Sequence, residues 1–135
     1  MAKGQLLPQR IAAAAAAVLP SEVAAVYLFG SQARGNPRPD SDIDLGLLYV
    51  QAPAGTLLAQ PFLLEGELGQ ALGRPVQCVV MNLAPPDLVH RILRDQQLLL
   101  DRDPSLRVRF EVAARNRYFD LRPFLDRYRK RASVA

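Results

Sequence analysis

The stretch that decides the fold is residues 29–48, which read FGSQARGNPRPDSDIDLGLL. Its middle, residues 32–41, contains a glycine, an asparagine and two prolines, and these residues predict a loop. The flanking segments AAVYLFGS (24–31) and DIDLGLLYV (42–50) read as buried strands. Because side chains alternate along a strand, Asp42 and Asp44 should point to the same face of the sheet.

The remaining segments predict an alternation of helices and short strands. We expect helices over residues 9–18, 56–72 and 85–95, and a last helix from Pro104. A third strand is predicted over 75–81, and a short strand or turn over 96–103. Pro123 should kink or end the last helix. No boundary or repeat divides the chain, so we predict one α/β (α+β) domain over 1–135, a short mixed sheet flanked by helices.

Composition narrows the functional classes. The 135 residues are 50% hydrophobic and 22% charged, which is typical of a soluble globular domain. The single cysteine, Cys78, lies in the apolar run VQCVVM, which favours a buried structural thiol and a reducing, cytoplasmic setting. The alanine-rich segment near the N-terminus favours a surface helix over a signal peptide, and it is too short to span a membrane.

Positive charge is concentrated at the C-terminal end. From Arg102 onward there are ten Lys or Arg and four Asp or Glu, a balance of +6, whereas residues 1–101 carry −2. This surface suits an acidic partner, a polyanion or a nucleotide, and its mixture of arginines and aromatic residues leaves nucleic-acid contact open. We favour packing of Tyr118, Phe119 and Phe124 on the core, and we interpret the arginines as a partner-binding face. The only histidine, His90, is interpreted as a surface or boundary residue.

The two aspartates point to metal chemistry. Neighbouring carboxylates on one strand face repel each other and are stabilised by a shared cation, and oxygen ligands without histidine or thiolate favour Mg²⁺ or Mn²⁺. Gly30 permits close approach of the backbone to a phosphate, and the hydroxyl of Ser31 can donate to it. Arg34 and Arg38 lie in the same loop and can neutralise phosphate charge. The alternative is an ordinary solvent-exposed loop followed by a strand.

The motif resembles that of a known superfamily. GSQARGNPRPDSDIDL (30–45) matches a Gly-Ser pair, a ten-residue gap and Asp-x-Asp, the signature of DNA polymerase beta-like nucleotidyltransferases. The chain looks most like the minimal nucleotidyltransferases, and MNLAPPDLVHRILRDQQLLLDRDPSLRVRF (81–110) resembles the segment after that family's third strand. The resemblance implies Mg²⁺, ATP or another nucleoside triphosphate, and transfer of the nucleoside monophosphate to a hydroxyl. In the antitoxin branch the acceptor is a tyrosine of a HEPN-domain ribonuclease toxin, which AMPylation silences.

The resemblance also implies roles for individual residues. Gly30 and Ser31 would hold the triphosphate, with Arg34 and Ser41 as further nucleotide-binding candidates. Asp42 and Asp44 would bind the metals. The family expects a third carboxylate on the third strand, where this sequence has Gln77. An amide binds Mg²⁺ less strongly than a carboxylate and cannot act as a general base.

Three interpretations of Gln77 remain open from the sequence. Glu65 or Glu67 on the second helix substitutes for the missing carboxylate. Alternatively, the enzyme works slowly on two aspartates, and the acceptor loses its proton to water or to a partner's side chain. In the third interpretation the chain neutralises its partner by binding alone, without transfer. An RNA-binding accessory role through the basic C-terminal region is a further alternative.

Overall fold

The residues that the structure describes form four helices and four strands. The computed structural model describes residues 8–30, 33, 42–53 and 60–134. Its elements, in chain order, are α1 (Pro8–Val18), β1 (Val23–Phe29), β2 (Ile43–Tyr49), α2 (Gln60–Leu72), β3 (Val76–Val80), α3 (Pro86–Asp95), β4 (Gln97–Asp101) and α4 (Pro104–Val134). The predicted order of helices and strands is confirmed, and the segment left open as a strand or turn is the strand β4. The predicted loop over 32–41 lies outside the described residues except for Ala33.

The sheet is mixed, as predicted. Its strand order is β3-β2-β1-β4, with β1 antiparallel to both β2 and β4 and β2 parallel to β3. The C-terminal end of β1 therefore lies at the same end of the sheet as the N-terminal ends of β2, β3 and β4. The register pairs Phe29 with Asp44, and Asp44 with Gln77. This end of the sheet gathers the residues that the sequence singled out.

Helices cover both faces of the sheet. On one face, α1 and α2 bury a cluster that includes Ile11 and Leu68 against Val26, Leu28 and Leu45. On the other, α3 and α4 pack over Tyr27 and Leu48, with Ile92 of α3 fully buried. Neighbouring residues of β1 and β2 thus enter opposite cores, which explains why both strands read as continuous apolar runs. Asp44 alternates with the buried Ile43 and Leu45 and so lies on the face that α3 covers.

The last helix continues past Pro123. α4 runs from Pro104 to Val134 with Pro123 in its interior, so Pro123 does not end the helix, and the kink expected as the other outcome stays a prediction. The expectation that three aromatic side chains pack on the core is wrong for two of them, because Phe119 is 59% and Phe124 63% exposed. Tyr118 is half-buried and stacks on His90, with ring centroids 3.7 Å apart and an interplanar angle of 5°. This contact gives His90 a packing role at the boundary between α3 and α4.

Several of the C-terminal charges serve the fold itself. Arg102 donates hydrogen bonds to the carbonyl oxygens of Ala16, Leu19, Pro20 and Val23, around the end of α1. Glu111, which is buried, accepts hydrogen bonds from the Tyr27 hydroxyl at 3.0 Å and from Arg107 at 2.8 Å. The Arg102 hydrogen bonds connect the end of α1 to the segment between β4 and α4, and the Tyr27–Glu111 hydrogen bond connects β1 to α4.

Membrane-spanning character is not found in the helices that the structure describes. None of them combines the length and the hydropathy that crossing a bilayer requires.

Candidate functional site

Asp42, Asp44 and Gln77 meet at the end of the sheet. Asp42 immediately precedes β2, Asp44 lies on it, and both are half-exposed. Gln77 pairs with Asp44 in the parallel register of β2 and β3. Its amide nitrogen Nε2 donates a hydrogen bond to Oδ2 of Asp42 at 3.2 Å. The amide thus lies beside both aspartates, at the position where the resemblance implies a third carboxylate.

Gly30 joins the two halves of the sequence motif. It directly follows β1 and has a φ of +76°, a conformation that favours glycine. A Cβ at this position would collide with the carboxylate of Asp44. Two features therefore require glycine at position 30: the positive φ of its backbone, and the space beside its Cα that the Asp44 carboxylate occupies. The close approach of residues 30 and 44 is the strongest sign of a built site.

Glu65 lies on α2 and contacts β3 away from Gln77. Its Oε2 accepts a hydrogen bond from the backbone N–H of Cys78 at 2.6 Å, and Cys78 packs into the core beneath α1 and α2, on the face opposite Gln77. Burial, and secondarily the nearby Glu65, raises the pKa of the Cys78 thiol to about 12. The half-buried thiol is thus a poor nucleophile at neutral pH, in line with the structural role expected for it.

A substitute third carboxylate is not found among the described residues. Within the ranges 8–30, 42–53 and 60–134, no group of three His, Cys, Asp or Glu side chains is arranged to hold a metal. Glu67 is exposed on α2, and Glu65 is bonded to the edge of β3. The interpretation in which Glu65 or Glu67 completes the site with Asp42 and Asp44 therefore has no support in this geometry.

A cleft opens beside Gly30, on the face that α3 covers. It has a volume of about 270 Å³, and its lining consists of Phe29, Gly30, Leu88, Arg91, Ile92, Arg94 and Asp95. Arg91 and Arg94 are one turn apart on α3 and bring two guanidinium groups to the cleft. Sequence reasoning missed them. Their spacing of three in HRILR puts them on one side of the helix, but only the packing of α3 shows that this side faces Gly30.

The other candidate nucleotide-binding residues cannot be placed. Ser31, Arg34, Arg38 and Ser41 lie outside the described residues, in the segment between β1 and β2. Their proposed roles therefore stay predictions from the sequence. Gly30 and Asp42, at the two ends of that segment, lie at the same end of the sheet.

The donors fit a hard divalent cation. Mg²⁺ in proteins is commonly held by one or two carboxylates, with water and substrate phosphates completing its coordination. Asp42 and Asp44 supply two such groups at an accessible edge, and the absence of a side chain at Gly30 keeps the space around Asp44 open. The guanidinium groups of Arg91 and Arg94 are suited to phosphate oxygens.

The solved structures to which this chain is similar include chains of toxin–antitoxin complexes. One is described as a toxin–antitoxin with AMP-PNP; it has a TM-score of 0.68 at 20% identity, over 91% of this chain and 98% of that one. Another is a MntA–HepT complex, with a TM-score of 0.60 at 18% identity over 90% and 95%. A third is a tri-AMPylated Shewanella oneidensis HEPN toxin in complex with MNT antitoxin, at 0.63 and 18% over 90% and 98%.

The fold and the site at its edge define a nucleotidyltransferase domain. The family model described as polymerase beta, nucleotidyltransferase matches residues 14–105, which include β1, β2, β3 and the candidate site. The chain therefore belongs to this family, whose members generally depend on a divalent metal and a nucleoside triphosphate. No curated protein sequence matches the chain.

Proposed function

We propose that this protein is an antitoxin that transfers AMP, or another nucleoside monophosphate, from a nucleoside triphosphate to a hydroxyl of a HEPN-domain ribonuclease toxin. The observation that carries the proposal is the contact between Gly30 and Asp44, which unites both halves of the nucleotidyltransferase motif at an open edge. The similarity to toxin–antitoxin chains over about nine tenths of this chain supports the choice of partner.

The nucleotide would occupy the cleft beside Gly30. Arg91 and Arg94 would offset the charge of its phosphates, and the backbone at Gly30 can approach them closely because no side chain intervenes. Asp42 and Asp44 would hold Mg²⁺ or Mn²⁺. When bound, such a cation stabilises negative charge on the attacking and leaving oxygens of an in-line displacement.

The transfer breaks a phosphoanhydride bond of the nucleotide and forms a phosphoester bond to the acceptor. The acceptor hydroxyl oxygen forms a bond to the α-phosphorus, and the bond from that phosphorus to the bridging oxygen of pyrophosphate breaks, so pyrophosphate leaves with the electron pair. The proton of the hydroxyl must go to water or to a side chain of the partner, since the Gln77 amide cannot accept it. We therefore expect transfer to be slow, because general base catalysis commonly contributes about 10²–10⁴ in rate.

Incorporation of label from the α- or the γ-phosphate of ATP tests the proposed reaction. The protein and its cognate HEPN partner are incubated with Mg²⁺ and ATP labelled at either the α- or the γ-phosphate. We expect the partner to gain the α label and not the γ label, and Asp42→Asn with Asp44→Asn to abolish the gain. Transfer of the γ label would indicate phosphoryl transfer, and an unlabelled partner would contradict nucleotidyl transfer.

The second candidate function is neutralisation by binding alone. It is favoured by the Gln77–Asp42 hydrogen bond, which puts an amide where catalysis calls for a carboxylate. Growth of cells that express the toxin separates the two functions. If transfer silences the toxin, the double aspartate variant fails to restore growth; if binding alone suffices, this variant protects as well as the wild type does.

A further inference from the structure

A second cavity adjoins the cleft on its α4 side. It is a groove of about 240 Å³ between α3 and α4, and its lining consists of Asp87, His90, Arg91, Arg94, Tyr118 and Arg129. Arg91 and Arg94 line the cleft as well as the groove, so the two cavities meet at these arginines. A ligand that fills the groove therefore ends beside the cleft that contains Gly30, which touches Asp44.

The groove carries net positive charge. Its lining contains three arginines and one aspartate: Asp87, Arg91 and Arg94 come from α3, and Arg129 comes from α4. Arg94 donates two hydrogen bonds to Asp95, at 3.1 and 3.2 Å, and Arg129 lies 4.0 Å from Asp126. The Arg129–Asp126 pair, whose side chains are 60% and 56% exposed, contributes about 1 kcal/mol at most, so a ligand carboxylate can replace it at small cost.

We propose that the groove binds an acidic polypeptide segment of the partner protein and that this segment carries the acceptor hydroxyl. This inference rests on the proposed function, because it assigns the acceptor side of the same transfer. The cleft would hold the nucleotide, the groove would hold the acceptor segment, and Arg91 and Arg94 would lie where the two ligands meet.

The groove suits a polypeptide better than a nucleic acid. Single-stranded nucleic acids are commonly bound by open aromatic faces on which bases stack. Here one face of the Tyr118 ring is taken by His90. Asp87 can accept hydrogen bonds from peptide N–H groups, which a nucleic-acid backbone lacks, and the arginines pair with carboxylates in a bidentate manner.

Arg129 provides the test, because it lines the groove and does not line the cleft. The matched control is Arg127, which is on the same helix two residues earlier, points in a different direction and lies over the Phe124 ring. Arg129→Glu and Arg127→Glu make the same change in net charge. Binding of a labelled oligoglutamate peptide with a central tyrosine is measured by fluorescence anisotropy, in parallel with a labelled oligouridylate and with Mg²⁺–ATP by calorimetry.

We expect Arg129→Glu to weaken peptide binding about tenfold at low salt, since an exposed pair is worth up to about fivefold and reversal adds repulsion. Arg127→Glu should change it less, and both variants should bind Mg²⁺–ATP as the wild type does. Equal peptide affinities of the two variants, weaker ATP binding by Arg129→Glu alone, or RNA binding in place of peptide binding would each overturn the inference. A wild type that binds the peptide but not Mg²⁺–ATP would instead contradict the proposed function.

Discussion

Gly30 and Gly73 form a natural pair for testing the site at the residue scale. Both have positive φ, +76° and +69°, so alanine should cost each about 1 kcal/mol in backbone strain. A Cβ at Gly73 has nothing within 4 Å, whereas a Cβ at Gly30 collides with Asp44. We expect Gly30→Ala to weaken Mg²⁺–ATP binding at least about tenfold, and Gly73→Ala to leave it unchanged, as measured by calorimetry. Equal effects would mean that the contact with Asp44 is irrelevant to binding.

Gln77 limits the rate of transfer in our account. Gln77→Glu should raise the rate about 10²-fold, since it supplies a carboxylate beside Asp42 that can bind metal and accept a proton. The control, Gln77→Met, removes the amide without adding a carboxylate and should give no increase. The measurement is the initial rate of pyrophosphate release in the presence of the partner. A Gln77→Glu variant no faster than the wild type would exclude Gln77 as the limiting feature.

The sequence predicted part of this site and not the rest. Strand alternation gave the common face of Asp42 and Asp44, and the alignment of the third strand gave the position of Gln77. The guanidinium groups of Arg91 and Arg94 were missed because their place beside Gly30 depends on how α3 crosses the sheet. The position of the Glu65 carboxylate likewise depends on tertiary packing, since it accepts a hydrogen bond from the backbone of Cys78, thirteen residues later in the sequence.

At the scale of elements, α4 is the part that the sequence described least well. Phe110, Ala114, Tyr118 and Leu121, spaced four, four and three residues apart, form a half-buried stripe along α4. Phe119 and Phe124 lie outside that stripe. Their hydrophobicity suggested that they pack on the core, but their positions on the helix leave both side chains exposed. The residues of α4 that join the core beneath α3, Leu106, Phe110 and Ala114, all come from its first third.

Pro123 should weaken the distal part of α4 without ending it. Proline has no N–H to donate to the carbonyl of Phe119, and within a helix it costs up to about 3 kcal/mol relative to alanine. Pro123→Ala should therefore slow amide hydrogen exchange in residues 119–131. Arg117→Ala, a change between two good helix formers on the same exposed helix, is the control. Unchanged exchange in the proline variant would show that the helix accommodates Pro123 without loss.

At the scale of the whole molecule, the buried hydrogen bond between Tyr27 and Glu111 links the sheet to α4. It also makes the free energy of unfolding decrease as pH rises into the alkaline range. Burial first, and then Glu111, raise the pKa of Tyr27 above its ordinary value of 10.0. In the folded state the hydroxyl thus keeps its proton where the unfolded chain loses it. This contribution is complete below pH 10 and is lost as pH rises further.

Tyr27→Phe tests that linkage. At neutral pH it should lower the free energy of unfolding by about 1 kcal/mol, because Glu111 loses one hydrogen bond while Arg107 remains. Above pH 10 the difference between wild type and variant should shrink, since the wild type loses the stabilisation that the variant lacks. Urea unfolding at neutral and alkaline pH measures both effects, with Tyr128→Phe as an exposed control. A difference that grows with pH would contradict the sign of the shift.

The order of helices and strands was predictable because local signals agreed along the chain. Apolar runs bounded by glycine and proline marked the strands, and four-residue periodicity marked the helices. The pairing of β4 with β1 was not predictable, since nothing local to residues 97–101 selects a partner strand. That pairing places α4 against the same face as α3, and so creates the groove beside the site.

The intact mass of the cognate HEPN partner after co-expression with this protein distinguishes nucleotidyl transfer from neutralisation by binding alone. We predict a partner heavier by one or more whole nucleoside monophosphates, with the modification on a hydroxyl side chain. The partner co-expressed with the Asp42→Asn, Asp44→Asn variant should have its unmodified mass. An unmodified partner in the presence of the wild-type protein, with growth still restored, would contradict transfer and leave neutralisation by binding.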